Sequence, residues 1–203
     1  MTKDEVLEEF RACGALLTGH FRLSSGRHSR VYFQAARVLM DPQRAERLAR
    51  ALADALPQRV RAALEYVVAP ALGGLVIGHE LARALEKPFM FVERDGDNRF
   101  ALRRGFALAR GARVLLAEDV VTTGQSLQEA AALLRDQGAA IQAAAALLDR
   151  SDGAASLDME LHVLARLPVE SFSADALPPD LRERPIDAPG SRQLGAARAQ
   201  RRA

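Results

Sequence analysis

Apolar residues recur at helical spacing near the start of the chain, where Val6, Leu7 and Phe10 fall within residues 4–13 and Gly14 follows where a helix would stop. A second helix is predicted over residues 42–56. Leu48, Leu52 and Leu56 share one face, Pro42 occupies the first turn, and Asp41 stands where an N-cap is needed. Between these helices, residues 20–34 are polar and β-leaning. A Ser-Ser-Gly turn there precedes Val31, Tyr32 and Phe33, which predicts a hairpin or a short strand.

From Tyr66 the period changes. Short apolar runs at 66–69, 89–93, 113–117 and 141–148 read as strands, and residues 75–85 and 127–137 read as helices, the second stopping at Gly138. Residues 94–106 form a polar connection. Strands alternating with helices predict an α/β fold with a mostly parallel sheet flanked by helices. Ligands of such sheets bind at the carboxyl ends of the strands, so the loops 70–74, 118–126 and 149–151 should converge. Past Pro168 the chain is rich in Pro, Gly and Arg, and residues 186–203 are expected to form a flexible, Arg-rich tail.

Composition narrows the class. At 203 residues and 22.0 kDa, with 49% hydrophobic and 27% charged residues, the chain has enough apolar content for a folded globule and is the length of one large domain. A net charge of +2 excludes the strongly basic surface of a dedicated nucleic-acid binder. Lys3 and Lys87 are the only lysines, and we read the arginine bias as composition rather than as a site. Cys13 is the single cysteine, so neither an intramolecular disulfide nor a cysteine zinc site can form. His20, His28, His79 and His162 show no zinc-helix spacing. A structural hydrogen bond is the expectation for His28. No apolar run reaches the ~18 residues that span a bilayer, so a cytoplasmic protein without membrane partners is expected.

The sharpest chemical signal is the segment 114–126, an apolar strand followed by Glu118-Asp119-Val120-Val121-Thr122-Thr123-Gly124-Gln125-Ser126 and a helix. A loop opening a helix presents unpaired N–H groups and the positive dipole end, which suits a phosphate monoester, and Thr122, Thr123 and Ser126 add hydroxyls. The two carboxylates suit sugar hydroxyls or a hydrated divalent cation. Phosphate and vicinal hydroxyls together indicate a ribose phosphate.

This segment resembles the 5-phosphoribosyl 1-pyrophosphate (PRPP) signature of the type I phosphoribosyltransferases. A second set of motifs narrows the resemblance: Gly14 to Phe21, Leu23, Ser25-Gly26, His28-Ser29 and Tyr32-Phe33-Gln34; Ala69-Pro70-Ala71-Leu72-Gly73-Gly74; Glu93-Arg94-Asp95-Gly96; Leu102-Arg103-Arg104-Gly105-Phe106; and Leu148-Asp149-Arg150-Ser151. In this order they are similar to the orotate phosphoribosyltransferases over residues 6–151. The resemblance implies a single domain over residues 1–185, of which about 1–40 form a hood over the base. It also implies transfer of the phosphoribosyl group from PRPP to orotate, with Mg²⁺ held mainly by PRPP and water rather than by protein ligands, in a homodimer with shared active sites.

The resemblance places PRPP on residues 118–126, on Gly73 and Gly74, whose lack of Cβ lets backbone N–H groups approach the pyrophosphate, and on Arg94 and Arg104. Glu118 and Asp119, with Arg99 and Arg103 of a mobile loop, are the catalytic candidates. Orotate, a planar ring with a carboxylate, falls to Thr122, to Arg150 as a bidentate guanidinium, and to Tyr32 and Phe33 as stacking rings. For Tyr32 and Phe33 the competing reading is core packing, and for Arg150 it is a surface salt bridge. The chain departs from the family pattern in three places: Ser24 stands where some relatives have lysine, Gly73 replaces another lysine, and residues 94–106 contain neither lysine nor histidine. A purine phosphoribosyltransferase and a PRPP-sensing regulator that binds nucleic acid are the two competing functions.

Overall fold

The computed structural model describes residues 1–23, 26–151 and 155–187. The chain opens with helix α1 (Lys3–Ala12), strands β1 (Leu16–Arg22) and β2 (His28–Phe33), and helices α2 (Ala35–Leu39), α3 (Pro42–Ala55) and α4 (Gln58–Ala63). Then follow β3 (Tyr66–Pro70), α5 (Gly74–Leu85), β4 (Phe89–Arg94), β5 (Phe100–Leu102), β6 (Arg113–Val121), α6 (Gln125–Asp136), β7 (Ala140–Asp149) and β8 (Leu161–Arg166). The last elements are β9 (Ser171–Phe172), a 3-10 turn (Ala174–Ala176), α7 (Pro179–Arg182) and β10 (Ile186–Asp187).

The sequence patterns explain the local structure. In α3 the Asp41 carboxylate accepts hydrogen bonds from the N–H groups of Gln43 (2.9 Å) and Arg44 (3.3 Å), Pro42 opens the first turn, and Ala45, Leu48, Ala49 and Leu52 are buried at i, i+3, i+4 and i+7. Leu127, Ala130, Ala131 and Leu134 do the same for α6.

The larger sheet has the order β5-β4-β3-β6-β7-β8 and is parallel except for the β4–β5 hairpin. One of its faces packs with residues of α1, α3 and α5, the other with those of α6. This is the mostly parallel, helix-flanked sheet expected from the alternation of periods. A smaller sheet, in the order β10-β1-β2-β9, stands over the first. Phe33 of this sheet, with Phe10 of α1 and Ala15 before β1, belongs to the same apolar cluster as Leu115 and Leu148 of the larger sheet.

Three features differ from the sequence expectations. Strand β6 runs on to Val121, so Glu118 and Asp119 are strand residues, paired through the ladder Glu118↔Ala146 and Val120↔Leu148, rather than the start of a loop. Charged residues are compatible with a buried strand at its carboxyl end, where the sheet stops and the side chains meet a cleft. The polar connection after Arg94 contains β5, with Arg94↔Phe100 in antiparallel register. Ile186 and Asp187, at the start of the expected tail, pair parallel with His20 and Phe21. Residues 188–203, the rest of that expectation, lie outside the described residues, as does Ser24.

Candidate active site

The carboxyl ends of β3, β6 and β7 meet the end of β1 and the β2–α2 junction around a cleft of about 620 Å³. Arg22, Tyr32, Phe33, Gly73, Arg150 and all nine residues from Glu118 to Ser126 line it. The loop convergence predicted from strand–helix alternation is therefore present for 70–73, 118–126 and Arg150.

The ladder between β6 and β7 fixes the floor. Val121 pairs with Asp149, and the N–H of Arg150 donates to the Val121 carbonyl at 2.9 Å, so the chain that carries the guanidinium leaves the sheet beside the start of the phosphate-type loop. Asp149 turns the chain there by accepting from the N–H (2.8 Å) and hydroxyl (2.6 Å) of Ser151. Gly124, at φ 78°, begins α6 in a left-handed conformation, and a Cβ there would lie 2.8 Å from Leu157 Cδ2. The hydroxyl of Thr123 accepts from the Gln125 N–H at 3.3 Å.

Glu118 is buried and Asp119 half-buried. The Val120 N–H donates to Asp119 Oδ1 at 2.7 Å and the Asp119 N–H to Glu118 Oε1 at 3.2 Å. Burial pushes the Asp119 carboxyl above its usual range, against the opposing pull of these hydrogen bonds. The turn 70–73 closes directly on this acid: a Cβ at Gly73 would lie 3.0 Å from Asp119 Oδ1, and one at Gly74 would lie 2.9 Å from the Ala117 carbonyl oxygen. Gly74 is thus required by close approach to backbone, whereas a side chain at Gly73 would meet only the end of the Asp119 side chain and displace it slightly.

Arg150 is only 7% exposed. Its Nη2 donates to the Val31 carbonyl at 3.1 Å, its guanidinium lies 5.3 Å from the centre of the Phe33 ring, and its Nε has no hydrogen-bond partner among the described residues. Among the described residues no carboxylate pairs with it. Burial weakens its hold on the proton, but a guanidinium stays charged throughout the accessible pH range. Arg150 is thus a buried cation without a counter-ion at a cleft wall, the state that a bound anion relieves. The surface-salt-bridge alternative does not describe it.

Of the two aromatic candidates, Phe33 is 4% exposed, edge-on to Phe10 at 5.8 Å, and serves as the platform beneath Arg150. Tyr32 is half-buried beside the cleft, where burial and the Asp119 carboxylate raise its hydroxyl pKa. The structure does not bring the loop arginines to this cleft. Arg94 pairs with Glu129 (2.6 Å), Arg99 with Asp97 (3.0 Å), and Arg103 and Arg104 with Glu93 (3.7 and 2.9 Å). Sequence reasoning passed over Arg22, which lines the cleft from the end of β1. Its place two residues before the Ser-Ser-Gly turn was the available signal. His28, as expected, is structural: its Nδ1 meets His20 Nε2 at 2.7 Å, and His20 Nδ1 meets the Arg184 carbonyl at 3.2 Å.

The phosphoribosyl transferase domain model matches residues 38–173, which include the acid pair, the loop and Arg150. A protein from Sphingopyxis alaskensis named orotate phosphoribosyltransferase is 52% identical over 197 residues, 97% of this chain and all of that one. The chain belongs to the orotate phosphoribosyltransferase family. Within this family, the crystal structure of orotate phosphoribosyltransferase from Aeropyrum pernix superposes with a TM-score of 0.68 at 31% identity, covering 80% of this chain and 93% of that one. The fold reaches further: an adenine phosphoribosyltransferase from Thermoanaerobacter pseudethanolicus gives a TM-score of 0.64 at 20% identity, over 79% of this chain and 99% of that one. The architecture is thus shared with enzymes named for other bases, and specificity has to be read from the site.

Proposed function

We propose that this protein transfers the 5-phosphoribosyl group of PRPP to orotate, giving orotidine 5′-monophosphate and pyrophosphate in pyrimidine nucleotide synthesis. The observation that carries the choice of base is Arg150, buried, unpaired and hydrogen-bonded on one side only. A ring carboxylate supplies the missing charge and hydrogen bonds, whereas a purine has no such group. The reading assigns orotate to Arg150, Thr122 and Tyr32, with Phe33 holding Arg150 in place. It assigns the 5-phosphate to the backbone and hydroxyls of 122–126, and the pyrophosphate to the turn at Gly73 and Gly74.

In this mechanism Glu118 and Asp119 accept hydrogen bonds from the ribose hydroxyls and offset positive charge developing at the anomeric carbon. The ring nitrogen of orotate, fixed through its carboxylate, attacks that carbon as the bond to pyrophosphate breaks and its own proton is released to water or to the departing pyrophosphate, and no protein nucleophile takes part. Positioning supplies much of the acceleration. Two adjacent carboxylates without a third His, Cys, Asp or Glu grouped near them among the described residues fit a cation carried chiefly by the substrate. Bound Mg²⁺ would neutralise charge on the pyrophosphate. The hairpin arginines Arg94, Arg99, Arg103 and Arg104 are assigned to the leaving group across a homodimer. Their pairing outside the chain's own cleft supports that sharing. Residues 1–185 act as one domain with a hood of about 1–40, and the reading places the enzyme in the cytoplasm. Among the described residues no helix is long and apolar enough to cross a membrane.

The test is loss of orotate absorbance with purified protein, PRPP and Mg²⁺, beside adenine, guanine and hypoxanthine as competing acceptors. Turnover of orotate alone, dependent on PRPP and Mg²⁺, is expected. Turnover of a purine base in its place overturns the assignment.

A further inference from the structure

One side chain that no motif marks joins the hairpin to the phosphate loop. Glu129 lies one helical turn beyond Gln125, the residue that opens α6. Its Oε1 accepts from Gln125 Nε2 at 2.7 Å and its Oε2 from Arg94 Nη2 at 2.6 Å. Arg94 in turn donates through Nη1 to the Asn98 carbonyl at 2.5 Å and stacks over Phe100 at 4.1 Å. A continuous polar chain thus runs from Gln125, within the phosphate loop, to the turn of the β4–β5 hairpin. The Arg94–Glu129 pair is 23% and 35% exposed, against 75% and 77% for Arg99–Asp97 nearby, so solvent screens it far less.

We propose that Glu129 is a positioning residue that transmits occupancy of the phosphate loop to the hairpin 94–102. In this way it sets the placement of the hairpin arginines toward the leaving pyrophosphate. The inference rests on the phosphoribosyl-transfer reading above. The Gln125 N–H makes only a 3.3 Å bond to Thr123, a neutral acceptor, and a phosphate oxygen is the stronger partner. Binding draws that N–H toward the ligand and shifts the first turn of α6. Gln125 carries the shift to Glu129, and Glu129 carries it to Arg94. Phe100 and Leu127 share an apolar cluster, so packing fixes the base of the hairpin while the polar chain reaches its turn.

The experiment compares wild type with Glu129→Ala by hydrogen exchange, using ribose 5-phosphate as the probe because it fills the phosphate loop and carries no pyrophosphate. In wild type, exchange in 94–102 slows on binding. In Glu129→Ala the ligand still binds and the slowing disappears, while KM for PRPP rises about tenfold and KM for orotate changes less than about twofold. Glu129→Gln, which keeps the size and part of the hydrogen bonding, falls between the two and carries the same readouts if the alanine variant does not fold. Full slowing in the variant, or equal rises in both KM values, overturns the inference. A wild-type protein that binds no ribose 5-phosphate overturns the functional reading itself; binding with no change at 94–102 overturns only the role of Glu129.

Discussion

The floor of the cleft and the hairpin beside it hold charge in opposite ways. At the floor, Arg150 and the acid pair are buried or half-buried on strand ends, tied to backbone atoms, and among the described residues the cation lacks a counter-ion. On the hairpin, the cations are more exposed and each has an acid within 4 Å. A buried unpaired charge is built to receive one ligand group in one orientation, and the protein bears the desolvation before the ligand arrives. Exposed pairs contribute little and exchange partners readily, which suits groups that engage a substrate only after it has bound. The proposed function accordingly gives recognition to the floor and charge neutralisation late in the reaction to the hairpin.

The largest effect that tests this contrast is expected from Arg150→Ala. Its kcat/KM for orotate should fall about 1,000-fold, ~4 kcal/mol, measured by orotate absorbance. Arg150→Lys should recover little, because an ammonium cannot reproduce the fork. A loss below about tenfold would remove the buried cation from its assigned role.

Asp119→Asn comes next, with a fall of about 100-fold in kcat/KM, ~2.7 kcal/mol. Burial raises the folded-state pKa of Asp119, so between the unfolded and folded values the native protein holds more protons and stability falls as pH rises through that window. The ionised carboxyl therefore opposes folding at neutral pH, and the asparagine variant should unfold at a higher temperature at pH 7, by calorimetry, while losing activity. A lower midpoint contradicts the burial account. The smallest effect is expected from Arg103→Ala: Glu93 keeps Arg104 as its partner, so the thermal midpoint stays put while kcat falls about fivefold. A clear drop in stability would mean that the hairpin pairs are structural after all.

The floor was also the more legible half in the sequence. An apolar strand, two acids, small hydroxyl residues and a helix are adjacent in sequence, and their chemistry follows from that adjacency. The apolar pattern ends β6 at Ala117 because charged residues look like loop, whereas the ladder carries the strand to Val121. The hairpin was opaque for a different reason. The partner of Arg94 is Glu129, 35 residues away on another element, and no spacing rule connects them. The same limit hid β8, β9 and β10, short strands whose pairing is entirely long-range, and the contact of His20 with the Arg184 carbonyl across 164 residues.

Those late pairings give the chain an order of assembly. The hood strand β1 is bordered by β10, β2 is bordered by β9, and Arg27 and Arg30 reach Ser171, Glu170 and Asp180. Residues synthesised first therefore wait for residues 170–187 before their sheet is complete. The parallel ladder β3-β6-β7, by contrast, uses no residue beyond Asp149. Under the proposed function, the ribose-phosphate side of the cleft draws on strands that end by Asp149, whereas the sheet carrying Tyr32 and Phe33 is bordered by strands from the last described residues.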